Sequence, residues 1–214
     1  FAQEIKVVME ERRLRTDDQP QSLLFEQLTA VAFQTHPYRV PIIGWMNDLE
    51  HLAPADARTW YDDWYAPNNA YLVVVGDVEH QEVFQLAEKH YGPLDARQLP
   101  VRKPQDEPPQ LGIRRLTVKA PADLPVVMMA YKAPVIRDVD QDVDPYALEM
   151  LAAVLAGHDA ARFSRHLVRQ QRLAVVASAS YDSTARGPGI FYLHGSPSEG
   201  RTAAELEAGL RAEI

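Results

Sequence analysis

The sequence predicts an α+β protein of two lobes joined by a proline-rich linker. Three observations carry that prediction. Apolar residues recur at helical spacing through most of residues 1–91, broken by one β-rich run, AYLVVVG, from Ala70 to Gly76. Residues 93–112 hold five prolines (93, 100, 104, 108 and 109) and little apolar content, which is the composition of a connector. Past the connector the pattern changes to pairs of strands alternating with helices. The lobes are therefore expected at 1–98 and 113–214, with 99–112 between them.

Each element has its own signal. Phe1, Ile5, Val8 and Met9 share one side of a helix over 1–14. Asp17-Asp18-Gln19-Pro20 reads as a turn and helix start leading into Leu23, Leu24, Leu28, Val31 and Ala32. His36-Pro37-Tyr38-Arg39-Val40-Pro41 is a loop stiffened at two prolines. Pro54-Ala55-Asp56 opens a helix that runs to about Tyr65 and stops before Pro67. The run 70–76 is expected to be a buried strand, followed by a helix over 79–91 that Gly92-Pro93 ends. Beyond the linker the expectations are strands at 113–120 and 125–132, helices at 144–156 and 159–171, strands at 173–181 and 189–195, and a helix at 201–213. Gly187-Pro188-Gly189 is a turn between strands, and Met128-Met129 are core.

Composition narrows the function. The chain has 214 residues, long enough for real cores, with 46% hydrophobic and 24% charged residues. No run approaches the roughly 20 apolar residues of a membrane-spanning helix. The absence of cysteine removes disulfides, thiolate zinc sites, iron–sulfur clusters and cysteine nucleophiles. Residues 1–98 carry 16 Asp/Glu against 8 Lys/Arg, whereas the remainder is balanced. An acidic half disfavours nucleic acid and suits a cation or a basic peptide, or simply a solvated surface. The chain opens on Phe1, straight into a helical pattern without an N-cap, as an internal piece of a longer protein does.

The first helix holds the most informative carboxylates. At about 100° per residue, Glu4 and Glu11 fall within about 20° of each other, at the edge of the apolar face. A carboxylate there must be paired, protonated or metal-bound. Roughly 10 Å along the axis separates the two, too far for equal ligation of one ion, so one can be a ligand and the other a supporting partner. Pairing of both with Arg12, Arg15 or residues elsewhere is the alternative. The seven histidines (36, 51, 80, 90, 158, 166 and 194) include no pair at three- or four-residue spacing, and each alone reads as a surface or capping residue. HExxH, HxxEH, the phosphate-binding GxxxxGK[ST], GxGxxG and GxSxG are all absent.

Four segments, in order, resemble the M16 family of zinc metallopeptidases, the pitrilysin, insulysin and mitochondrial-processing-peptidase group. Glu4-Ile5-Lys6-Val7-Val8-Met9-Glu10-Glu11-Arg12-Arg13 resembles the family's helix with two glutamates seven apart. His36 to Trp45 (HPYRVPIIGW) is similar to its "PY..P.IG" loop. Trp64-Tyr65-Ala66-Pro67-Asn68-Asn69-Ala70 and Val73-Val74-Val75-Gly76-Asp77 are similar to its "YxPxN…VVGD" passage. Leu155-Ala156-Gly157 with Arg162-Phe163 resembles the second domain's "GGG..SRL" element, though with one glycine where the family often has three and alanine for the serine.

The resemblance implies two M16-type (LuxS/metallohydrolase-like) α+β lobes, the first incomplete. It implies a zinc cofactor in the whole protein, with Glu11 as metal ligand and Glu4 as the supporting glutamate. The general-base glutamate belongs to the HxxEH element and has no counterpart here, so the chain alone is expected to bind zinc weakly and to cleave nothing. The implied activity of the parent is hydrolysis of unfolded peptides or small proteins by metal-activated water. The implied partners are peptide substrates and a homodimer or paired M16 subunit, with no nucleic acid and no membrane span. Exported bacterial relatives imply the periplasm rather than the cytoplasm. A non-catalytic partner subunit that binds or positions peptides is the alternative, and a plain interaction module is a weaker one.

Overall fold

The structure, a computed structural model, describes all 214 residues. The fold is mixed α and β. Contacts divide the chain into two compact units, one made of Phe1–Met9 and Trp45–Pro104, the other of Glu10–Gly44 and Gln105–Ile214. The expected lobes followed chain order at 98 and 113. The units instead place residues 10–44 with the second half of the chain, because the helix at 20–32 packs on the strand at 127–133 and the 34–44 loop bonds to Glu107 and Gly187.

The first unit is helical. Helix α1 (Glu4–Arg12) begins in it, with Ile5, Val8 and Met9 half-buried and Lys6 and Glu10 exposed, as the periodicity requires. A short helix α3 (Met46–His51), not foreseen from the sequence, is followed by α4 (Pro54–Trp64) and α5 (His80–Tyr91). Asp56 caps α4 by accepting the Ala53 N–H at 2.8 Å, and Pro54 occupies the first turn, where a missing N–H costs nothing. The expected buried strand at 70–76 is not formed. The segment joins no sheet, and Tyr71, Val73 and Val75 are 100%, 80% and 92% exposed. The β propensity is present, but a strand needs a hydrogen-bonding neighbour, and this unit contains no other strand.

The second unit holds the core. After a π-helical turn at Arg13–Asp17, α2 (Pro20–Ala32) leads to the 34–44 loop. Strands β1 (Val127–Ala133), β2 (Ala174–Tyr181) and β3 (Gly189–Pro197) form an antiparallel sheet in the order β1-β3-β2. The expected strand at 113–120 joins no ladder, although Leu116, Val118 and Ala120 keep its period-two burial. Helix α6 (Asp144–Ala156), a π-helical turn at Ser164–Gln170 within the expected 159–171 helix, and α7 (Ala203–Ala212) cover one face of the sheet. Leu155, Phe163, Leu167, Leu193, Leu206 and Leu210 are fully buried there, with Met129 and Phe191. The "GGG..SRL"-like element thus supplies the core through Leu155 and Phe163. Strand alternation separates the two methionines: Met129 enters this core, and Met128 points to the opposite face.

Candidate functional site

The two sequence-singled glutamates differ in setting. Glu4 is exposed at the start of α1. Glu11 is half-buried and accepts an ion pair from Arg15 Nη1 at 2.9 Å, one helical turn on. Of the two openings left by the sequence, pairing is therefore what the chain provides for Glu11. No three His, Asp or Glu side chains converge anywhere in the chain. The residues present do not by themselves fit a zinc centre, since Glu11 is a single carboxylate already engaged by a guanidinium. The neighbouring Arg12 is the buried residue of this helix. Its guanidinium donates to both carboxylate oxygens of Glu26 (2.8 and 3.0 Å) and to the Gly44 carbonyl (2.8 Å), which ties α1, α2 and the end of the 34–44 loop together.

The histidines scatter. Nδ1 of His36 and of His158 accepts a backbone N–H from two residues ahead, at Tyr38 and Ala160, and His51 sits 2.7 Å from the Asn47 carbonyl. His166 places Nδ1 2.9–3.0 Å from both carboxylate oxygens of the buried Glu213. His194 alone enters a cleft. Burial pushes its pKa down, and burial pushes that of its neighbour Tyr192 up.

That cleft, about 1260 Å³, lies in the second unit between α2 and the sheet face opposite the core. Met128 and His194 are cross-strand partners on its floor, and Tyr192 stands beside them against Phe25 of α2, ring centroids 5.3 Å apart. The 34–44 loop forms one wall through Tyr38, Val40 and Ile42. Gly187, in the turn between β2 and β3, fixes the loop by donating its N–H to the Tyr38 hydroxyl at 2.9 Å. The other end of the loop is held by Glu107. Its carboxylate accepts the consecutive N–H groups of Gln34, Thr35 and His36 at 2.8–3.1 Å and the Lys132 ammonium at 2.6 Å. Burial opposes the charge, yet the Lys132 ammonium and the three backbone N–H groups prevail and hold its pKa at about 2. The arrangement can hold a chain with apolar side chains.

Sequence reasoning did not single out Glu107, Lys132, Tyr192 or the role of His194. Glu107 pairs with residues 71 to 73 positions away, and nothing near Pro108-Pro109 announces that. The alternation in β3 carried a usable signal, because it separates Tyr192 and His194 from the apolar Phe191 and Leu193.

Comparison with known proteins places this architecture. Residues 51–214 match the family model described as the peptidase M16 inactive domain. Zinc protease PqqE of Helicobacter pylori is 35% identical over 178 residues, covering 81% of this chain and 39% of that protein. A crystal structure of a protease from Helicobacter pylori superposes with a TM-score of 0.85 at 31% identity, covering 99% of this chain and 51% of that one. A conserved protein from Enterococcus faecalis V583 shares the fold at a TM-score of 0.80 and 19% identity, covering 99% of this chain and 48% of that one. The chain thus spans two fifths to about half the length of these relatives. With a family model over most of its residues and a zinc protease this similar across four fifths of its length, the chain belongs to the M16 peptidase family.

Proposed function

We propose that this chain is part of a zinc-dependent M16 metalloendopeptidase, and that it contributes substrate-holding surface and one carboxylate rather than a complete catalytic centre. Family membership carries the reading. Within it, Glu11 is the residue that serves as a metal ligand and Glu4 supports it, with the histidine ligands supplied from outside these 214 residues. Glu11 would hold the metal in place of its ion pair with Arg15, and the metal would supply activation of the attacking water. The apolar cleft beneath α2 holds stretches of unfolded peptide, whose backbone finds hydrogen-bond partners in Tyr192 and His194. By itself the chain cleaves no peptide. The setting that goes with this reading is the periplasm.

The test is zinc content and peptidase activity of the intact parent, wild type and Glu11→Gln. Loss of both in the variant is the expected result. A variant that keeps full zinc and full activity removes Glu11 from the ligand role.

A second reading has its own support, namely the match to a domain described as inactive and the engagement of Glu11 by Arg15. In that reading the parent is a non-catalytic partner subunit that positions peptides. A wild-type parent that binds no zinc and cuts nothing, yet binds peptide, would select it.

A further inference from the structure

The first unit carries an aromatic cavity that the peptidase reading does not use. Trp60, Tyr61 and Trp64 stand on α4, and Tyr65 follows directly. Spacings of one, four and five residues gather them on one side of the helix. With Tyr91 from the end of α5 and Leu94, Asp95, Arg97 and Arg102 from the segment beyond, they line a cavity of about 1070 Å³. Tyr61 and Tyr65 stack with ring centroids 4.6 Å apart, and Trp60 meets Tyr65 edge-on at 5.9 Å. The rings stay open to water: Trp60 and Tyr65 are 59% and 60% exposed.

One occupant is visible. The Arg102 guanidinium lies 4.4 Å from the Trp64 ring centroid and has no carboxylate partner. The segment that delivers it is pinned at Arg97, whose backbone N–H donates to Asn68 Oδ1 and whose carbonyl accepts from Asn68 Nδ2, both at 3.0 Å. The charge balance also favours a cation. Asp95 lines the cavity beside Arg97 and Arg102 without an ion-pair partner, and the acidic excess lies in the surrounding unit, which carries eleven carboxylates against six Lys and Arg. A guanidinium entering here meets aromatic faces, an uncommitted carboxylate and a negative surrounding field.

We propose that this cavity is a docking site for the arginine side chain of a proline-flanked basic peptide, with Arg102 as its resident competitor. Arg102 sits in Pro100-Val101-Arg102-Lys103-Pro104. Flanking prolines hold such a segment extended, so a peptide of this kind loses little conformational freedom on docking. The site is independent of hydrolysis and stands whichever reading of the parent holds.

Trp60 and Trp64 are two of the three tryptophans, so intrinsic fluorescence reports the cavity directly. The 214-residue chain and its Arg102→Ala variant are titrated with blocked Pro-Val-Arg-Lys-Pro and with the same peptide carrying Gln for Arg and Lys. Removing a tethered competitor should tighten binding of the charged peptide about 10-fold. The neutral peptide should not bind. Asp95→Asn, a surface change that leaves folding intact, should weaken binding in the Arg102→Ala background about 3- to 10-fold. Equal binding of the neutral peptide, no gain from Arg102→Ala, or no binding of either peptide overturns the proposal.

Discussion

Replacing Glu107 with Gln tests how the 34–44 loop is held. The carboxylate side chain is only 6% exposed, and its pKa falls from an ordinary 4.5 to about 2. At about 1.4 kcal/mol per unit, a depression of that size corresponds to at most about 3.5 kcal/mol of stability near neutral pH. Because the folded-state pKa is the lower one, this contribution is complete above pH 4.5 and disappears as pH falls toward 2. Gln keeps the size but loses the ion pair with Lys132, and its NH2 has to replace an oxygen that accepted backbone N–H groups. The variant should lose about 2–3 kcal/mol at pH 7, with the deficit shrinking steadily below pH 4.5. All three tryptophans, Trp45, Trp60 and Trp64, lie in the first unit, so their fluorescence does not report this site. Denaturant unfolding followed by far-ultraviolet circular dichroism suits it, with hydrogen exchange at Gln34, Thr35 and His36. A deficit under about 0.5 kcal/mol, or one that does not change between pH 7 and 3, would refute the electrostatic account.

Two other substitutions probe the same unit. Arg12→Ala leaves the Glu26 carboxylate, 5% exposed, without its bidentate partner and should cost about 3–5 kcal/mol in thermal unfolding; a cost below about 1 kcal/mol would mean that Glu26 relaxes to solvent. Gly187→Ala places a Cβ 2.6 Å from His36 Cε1 and 2.8 Å from Tyr38 Cε2, so it should cost about 1–3 kcal/mol and speed amide exchange of Tyr38; unchanged exchange would show that the loop yields without penalty.

The helices were the legible part of this chain. Pro54, Pro20 and the Thr202–Glu205 capping box mark starts that local chemistry dictates, and α4, α5, α6 and α7 appear within two residues of where periodicity puts them. Strand propensity proved insufficient at 70–76 and 113–120, because pairing is a property of neighbours and not of a segment. The site was legible only as far as single residues reach. Helical geometry singled out Glu11, but its Arg15 partner was one option among several. The Glu107 cradle joins residues more than 70 positions apart, and its binding groups are main-chain N–H groups that no side-chain pattern displays.

Strand β3 runs through the middle of its sheet and serves two masters. Phe191 and Leu193 face the packed helices, while Tyr192 and His194 face the cleft. Evolution can therefore retune the cleft at alternate positions with little disturbance to the core, as substitutions at Tyr192 and His194 leave the packed side untouched. Length is the quantity it cannot change. Inserting or deleting one residue within 189–197 would turn the phenylalanine and leucine toward water and press the tyrosine and histidine into the helices. Among homologues this strand should vary more at 192 and 194 than at 191 and 193, and scarcely at all in its count.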